Sequence, residues 1–196
     1  MKTSFLIAVL FAACAAQTQN LKMVSVRFPA NGNPPKTQFL CSQKLDKAEC
    51  VKEATALRQA MAPYPVHLLE QWSFVLVPAD DWKALVRSQG GDPLSPAFSI
   101  LEQRATLLDS SLFVGSAIRN KELLERFGMI GPALLDLAIT HEMGHAICHE
   151  KNERRADDYG KLLRDGKAPV CSGTQRIIPS SDAESVATAH AAGIPR

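Results

Sequence analysis

The chain has 196 residues, of which 46% are hydrophobic, so it is long enough for one domain with an apolar core. Its 22 lysines and arginines against 20 aspartates and glutamates leave a formal net charge of +2 at pH 7. The basic residues are spread along the chain rather than gathered on one stripe, so the sequence predicts no nucleic-acid partner.

The first residues predict an export signal. Lys2 precedes a continuous apolar run from Phe5 to Ala13, and small residues follow that run. This layout is typical of a secretory signal peptide, and the run is too short for a comfortable membrane span. We therefore expect removal of residues 1–16 and a secreted, periplasmic or cell-envelope protein without a transmembrane span in the mature chain. Lipoprotein anchoring is an alternative, because the small residues before Cys14 also resemble a bacterial lipoprotein box.

Four cysteines remain after the predicted leader, an even number that suggests two disulfides in an exported chain. We favour the pairs Cys41–Cys50 and Cys148–Cys171. The second bridge would tie the segment after Cys148 back onto the helix that ends there. Four buried free thiols are the alternative, because distances between Cα atoms cannot be read from a sequence.

The first half of the chain predicts a mixture of strands and helices. Alternating residues with two valines predict a short strand over 21–27, and prolines, glycine and asparagines predict a loop over 29–35. Apolar residues at helical spacing predict a helix over 44–61. The apolar run 73–77 predicts a buried strand, and a short helix is expected from about Asp80.

In the second half, residues 97–109 predict one or two strands, and helices follow. We expect these helices over 116–127, 132–148 and 152–165, the second with proline at its first position and the third capped by a glycine. The small and polar segment 179–196 predicts a loosely held tail.

The stretch from Thr140 to Gly160, THEMGHAICHEKNERRADDYG, predicts a metal site. Residues four apart on a helix lie on one face about 6 Å apart along its axis, so the imidazoles of His141 and His145 can bind one ion. Glu142 would then project beside the metal, where a general base for a metal-activated water is needed. The surrounding helix is apolar around most of its circumference, which places the histidines at the edge of a low-dielectric core.

A catalytic zinc ion usually takes three protein ligands, and Glu153 is the candidate for the third. On one straight helix it would lie about 12 Å along the axis from His145, so the chain must turn back between them. Asn152 is a suitable N-cap for a second helix whose first turn carries Glu153. Asp157, four residues further on, would face the same way and accept the second ring proton of either histidine.

Other residues of the stretch are weaker candidates for a role at the metal site. His149 continues the row from His145 and is an alternative third ligand, although a solvated histidine at the helix end is favoured. Arg154 and Arg155 are interpreted as a solvated face, but either of them, or Tyr159, is a candidate to steady a substrate carbonyl or the oxyanion. We expect three aromatic residues to belong to the core rather than to a substrate pocket: Trp72, Trp82 and Phe98.

These residues resemble the gluzincin branch of the zincin metallopeptidases, the group typified by thermolysin. HEMGH matches the family's HExxH zinc-binding helix, and NERRAD matches its second helix, with alanine in place of a serine. The connection between the two motifs is shorter than is typical of the family. The resemblance implies zinc ligands at His141, His145 and Glu153, a general base at Glu142, and a supporting carboxylate at Asp157.

The resemblance also implies a fold and a function. We expect a small α+β zincin-like domain over residues 17–178, with a twisted, mostly antiparallel sheet beside the HExxH helix. An edge strand would hold the substrate in extended form, and 104–109 is the candidate for that strand. The expected function is a secreted or cell-envelope metallopeptidase that uses Zn2+ to hydrolyse peptide or protein substrates. The alternative is an exported, non-catalytic zinc-binding or structural protein on the same scaffold, which a fourth ligand such as His149 would favour. The sequence predicts no oligomeric state.

Overall fold

The computed structural model describes residues 22–26, 28 and 37–171. These residues form an α+β fold in which helices cover a single sheet. None of the helices in this part of the chain is long and apolar enough to cross a membrane. The predicted leader over 1–16 and the predicted tail over 179–196 lie outside the described residues.

The strands of the sheet are β1 Met23–Val26, β2 Thr37–Ser42, β3 Trp72–Val77, β4 Ala97–Ile100 and β5 Ala105–Asp109. Their order across the sheet is β1-β2-β3-β5-β4. The three inner strands run parallel to one another, and each outer strand runs antiparallel to its neighbour. The sheet is therefore mixed, and the expectation of a mostly antiparallel sheet is wrong. The reason is that helical crossovers connect the inner strands, and such crossovers join parallel strands.

The outer strand next to β5 is β4, so the prediction of an edge strand over 104–109 is also wrong. All residues of β5 are buried between β3 and β4. A turn over Leu101–Gln103, ended by Arg104 in the left-handed conformation at φ 49°, folds the chain into a hairpin. This hairpin leaves β4 on the outside, although β4 comes earlier in the sequence.

The helices are α1 Lys47–Met61, α2 Ala79–Ser88, α3 Ala117–Phe127, α4 Pro132–Cys148 and α5 Glu153–Arg164. Helix α2 packs on one face of the sheet, where Trp82 and Val86 are fully buried. The other helices contribute to the larger core on the opposite face, which contains the fully buried Trp72. The core positions predicted for both tryptophans are confirmed.

Helices α4 and α5 lie in close contact because two glycines let their backbones approach. A Cβ atom added at Gly144 would lie 2.7 Å from the carbonyl oxygen of Ala156, and one added at Gly160 would lie 3.0 Å from the backbone nitrogen of His141. The contact at Gly144 is shorter than real Cβ atoms show, and the contact at Gly160 is tighter than most real Cβ contacts. A side chain at Gly144 would therefore force the two helices apart, and one at Gly160 would require the neighbouring backbone to shift by a few tenths of an ångström.

Both favoured disulfides are present, Cys41–Cys50 and Cys148–Cys171. The first joins the end of β2 to the first turn of α1. The second ties the segment after α5 to the last residue of α4, three residues beyond His145. Stable disulfides are typical of oxidising compartments, so both bridges fit an extracellular protein.

Candidate metal centre

Three side chains from α4 and α5 meet at one point. Nε2 of His141 lies 3.1 Å from Nε2 of His145, and Oε2 of Glu153 lies 3.1 and 3.4 Å from those two nitrogens. Within the described part of the chain, these residues form the single cluster of potential metal ligands. Ligand atoms around a tetrahedral zinc ion, bonded at 2.0–2.2 Å, are about 3.3–3.6 Å apart. The three atoms are therefore spaced much as they would be around one zinc ion.

The turn between α4 and α5 brings Glu153 back to the histidines. His149 ends α4 in the left-handed conformation, with φ 48° and ψ 38°. The side chain of Asn152 then caps α5 by accepting a hydrogen bond of 3.1 Å from the backbone N–H of Arg155. The helix boundaries predicted around the motif are confirmed, and Glu153 stands in the first turn of α5 as expected.

Each histidine is held through the ring nitrogen that faces away from the shared point. Nδ1 of His141 lies 2.7 Å from Oδ1 of Asp157, and Nδ1 of His145 lies 2.6 Å from the backbone oxygen of Glu150. A carboxylate and a carbonyl oxygen accept hydrogen bonds, so Nδ1 is the nitrogen that carries the proton in the neutral form of each ring. In that form both Nε2 atoms keep a lone pair with which to bind a metal ion.

His149 does not reach the cluster. Its left-handed backbone turns the side chain away from the row of His141 and His145, and its ring packs edge-on against Trp72 with centroids 6.2 Å apart. The structure thus brings Glu153, and not His149, to the two histidines.

A cavity of about 800 Å³ opens beside the cluster. Strand β4 and the turn after it contribute to its lining on one side, and helix α4 contributes on the other. The polar lining includes all five residues predicted for the site: His141, Glu142, His145, Glu153 and Asp157. Apolar side chains also line it, among them Phe98, Phe127 and Leu134. Phe98 also packs against Trp82, so it contributes to both the core and the cavity wall.

The three residues considered for an oxyanion role lie outside the lining of the cavity. Nε of Arg155 forms an ion pair of 2.8 Å with the carboxylate of Glu150. Tyr159 is 7% exposed and lies beside Gly144, between α4 and α5. Neither of them lines the cavity, and Arg154 does not line it either. The structure therefore gives no support to an oxyanion role for these three side chains.

Glu142 is a buried carboxylate on the cavity wall, with 4% of its surface exposed. Burial raises the pKa of Glu142, and the neighbouring His141 acts in the opposite direction. The hydroxyl of Ser99, on β4, donates a hydrogen bond of 2.6 Å to its Oε2 atom. This bond joins the edge strand directly to the motif helix.

Two of these contacts were not predicted from the sequence. The oxygen that holds His145 belongs to the backbone of Glu150, and a backbone carbonyl has no signature in a sequence. Ser99 had a weak signal, because it is a hydroxyl residue at a core-facing position of the otherwise apolar strand AFSI.

Comparisons of the chain with protein-family models, curated proteins and solved structures found no match. The class of protein must therefore be argued from the geometry of the site.

Proposed function

We propose that this protein is an exported zinc metallopeptidase of the zincin type, with His141, His145 and Glu153 as zinc ligands. The convergence of their three ligand atoms, 3.1 to 3.4 Å apart, is the observation that carries the proposal. Two imidazoles and one carboxylate are a ligand set that catalytic zinc sites use. The protonated Nδ1 atoms support this assignment, because they leave both Nε2 atoms as electron-pair donors.

The number of ligands favours catalysis over a structural role. A structural zinc ion is usually closed by four protein ligands, whereas the described residues group only three histidine or carboxylate ligands. The site also adjoins a cavity large enough for part of a substrate. When bound, zinc would supply a Lewis acid for the scissile carbonyl and for the attacking water.

Glu142 is proposed as the general base. It follows His141 directly and lies on the cavity wall, and Ser99 occupies its Oε2 atom. In the proposed reaction Glu142 accepts a proton from the attacking water and donates it to the leaving amine.

A peptide is the substrate class that suits the wall of the cavity. No described strand pairs with the outer side of β4, which lines the cavity opposite α4. An extended peptide can add to such an edge through backbone hydrogen bonds. A peptide bound in this way would lie between β4 and the three proposed ligands.

The cellular location is part of the proposal. The two disulfides and the predicted leader favour secretion or residence in the cell envelope. Lipidation of Cys14 is the alternative route to the envelope. Changing Cys14 to Ser would release a lipoprotein from the membrane fraction and leave a secreted protein unchanged.

The test is zinc content by elemental analysis, together with hydrolysis of casein and of a quenched-peptide library. We expect one zinc ion per chain and cleavage that stops when a chelator is added. Glu142→Gln should keep its zinc and lose roughly 10²- to 10⁴-fold in kcat, the usual contribution of a general base. Glu125→Gln, the same change on the exposed side of α3, is the matched control and should behave like wild type.

Two results would contradict the proposal in different ways. Zinc binding without cleavage of any peptide would favour the non-catalytic zinc-binding protein. Absence of zinc from a folded, disulfide-bonded sample would exclude both the zinc metallopeptidase and the non-catalytic zinc-binding protein.

A further inference from the structure

A row of hydrogen bonds runs from the middle of the sheet to Glu142. Nε1 of Trp72 on β3 donates to Oγ1 of Thr106 on β5 at 2.9 Å. Oγ1 of Thr106 lies 2.8 Å from Oγ of Ser99 on β4, which donates to Glu142 on α4 at 2.6 Å. We call these four residues the hydrogen-bond chain.

When Glu142 is ionised, the chemistry of the end residues sets the direction of every bond. The indole N–H of Trp72 can only donate, and an ionised Glu142 carboxylate can only accept. Ser99 has one hydroxyl hydrogen, and it is used on Glu142, so Ser99 must accept from Thr106. Thr106 in turn accepts from Trp72 and donates its own hydrogen to Ser99. All the donors therefore point toward Glu142.

Burial of the hydrogen-bond chain lowers the stability of the fold unless all of its polar atoms form hydrogen bonds. Trp72 is 1% exposed and Thr106 is 0% exposed, both in the apolar layer between sheet and helices. A hydroxyl buried without a partner is destabilising, and valine would fill the place of Thr106 without that risk. The register pairs Ser99 directly with Thr106, so the two hydroxyls adjoin on the face that packs against α4.

We propose that Ser99 is a positioning residue for Glu142, and that Thr106 and Trp72 hold the Ser99 hydroxyl in the orientation that this requires. The bond to Oε2 restricts the rotation of the Glu142 carboxylate on the cavity wall. Because Ser99 belongs to the edge strand, the strand proposed to bind the peptide also orients the base. The catalytic consequence rests on the proposed function, whereas the hydrogen-bond chain itself does not.

The first test separates kcat from KM. Ser99→Ala should lower kcat by about 10- to 100-fold, the usual worth of one hydrogen bond to a charged group, while KM and zinc content stay near wild type. Ser99→Thr keeps the hydroxyl and should recover most of the loss. Thr106→Val removes the donor to Ser99 together with the acceptor of the Trp72 indole N–H, but it leaves the bond from Ser99 to Glu142 in place. It should therefore lower kcat by a smaller factor than Ser99→Ala.

The matched control is Ser73→Ala. Ser73 follows Trp72 on β3, so its side chain points to the opposite face of the sheet. Its removal tests whether loss of any strand hydroxyl affects activity, and kcat should not change. An unchanged kcat in Ser99→Ala, in a sample whose wild type cleaves peptide, would overturn the positioning role.

The second test needs no activity. The chain has two tryptophans, so a ¹⁵N-labelled sample gives two indole N–H resonances. Trp72 donates to Thr106, whereas Trp82 donates to the backbone oxygen of Ser95 at 2.7 Å and serves as the internal reference. Because hydrogen bonds in series polarise one another, Ser99→Ala and Glu142→Gln should shift the Trp72 resonance and leave that of Trp82 in place.

The two tests fail in distinguishable ways. A Trp72 resonance that moves in neither variant would overturn the hydrogen-bond chain even if the protein is an active peptidase. A Trp72 shift in a protein that cleaves no peptide would support the hydrogen-bond chain while the proposed function fails.

Discussion

Two clusters of polar side chains in this protein differ in how their members are paired. At the end of β5, Asp109 is fully buried, and its Oδ2 atom forms an ion pair of 2.9 Å with Arg119. Its Oδ1 atom accepts a hydrogen bond of 2.9 Å from the backbone N–H of Ser111. Both oxygens of this carboxylate are therefore satisfied within the protein, which makes the cluster closed.

The second cluster, at the start of α5, brings electron-pair donors together instead. Nε2 of His141, Nε2 of His145 and Oε2 of Glu153 face one another, while the supporting contacts lie on the far sides of the imidazoles. A closed cluster of opposite charges contributes to the fold, whereas converging donors suit a cation. The comparison suggests that substitutions in the first cluster change stability and that substitutions in the second change metal binding.

The largest expected effect lies in the closed cluster. Arg119→Met would leave Asp109 buried without its partner, which should lower the free energy of unfolding by about 3–5 kcal/mol. Chemical denaturation measures this loss, and Lys121→Met is the matched control because Lys121 forms an exposed ion pair on the same helix. The control should lose less than about 1 kcal/mol. Equal losses in the two variants would contradict the structural role given to the closed cluster.

A smaller effect is expected beside the metal centre. Asp157→Ala removes the acceptor that fixes the His141 ring, so zinc affinity should fall about 10- to 100-fold. Asp158→Ala, at the exposed neighbouring position, is the control and should bind zinc like wild type. Competition against a zinc-binding dye measures both affinities. Should the two variants bind zinc equally well, the role of Asp157 would be disproved.

The smallest expected effect concerns Glu53, a buried carboxylate on α1. Burial, more than the nearby Glu49 and Asp109, raises its pKa to about 7, and its Oε2 atom has no hydrogen-bond partner. The folded protein favours the protonated form of Glu53. The contribution of this group to the free energy of unfolding should therefore become more unfavourable as the pH rises from about 4.5 to 7. Glu53→Gln should therefore raise the free energy of unfolding by about 1–3 kcal/mol at pH 8 and change little at pH 4.5. Denaturation curves at the two pH values measure this, and a gain of equal size at both would contradict the raised pKa.

The helices of the site could be predicted because their ends carry local signals. Proline at the first position of α4 and Asn152 before α5 mark where each helix begins, and the spacing of His141 and His145 needs nothing beyond helical geometry. The favoured pairing of neighbouring cysteines is confirmed, and it was chosen because a bridge from Cys148 to Cys171 would tie the segment after the motif to the motif helix.

The order of the strands could not be predicted in the same way. Strand β2, Thr37–Ser42, was not predicted, because Phe39, Leu40 and Cys41 are consecutive apolar residues and the segment shows no alternating pattern. A strand covered on both faces shows little alternation. The hairpin that places β4 outside β5 depends on the left-handed conformation of Arg104, a residue without a glycine's turn signal.

The contacts between elements distant in the sequence could not be predicted either. The sequence left open which histidine Asp157 would support, because the answer depends on how closely α5 lies against α4. The bond from Ser99 to Glu142 joins residues 43 positions apart. It depends on which face of the sheet the Ser99 side chain of the edge strand occupies. Such contacts follow from tertiary packing, which periodicity does not report.

The most direct measurement is zinc affinity and stoichiometry for wild type, Glu153→Gln and His149→Gln. The central claim is that the turn between α4 and α5 delivers Glu153 as the third ligand, while His149 packs on Trp72. We predict one zinc ion per wild-type chain, an unchanged affinity in His149→Gln, and loss of most of the affinity in Glu153→Gln. Binding by Glu153→Gln as tight as that of wild type would contradict the claim.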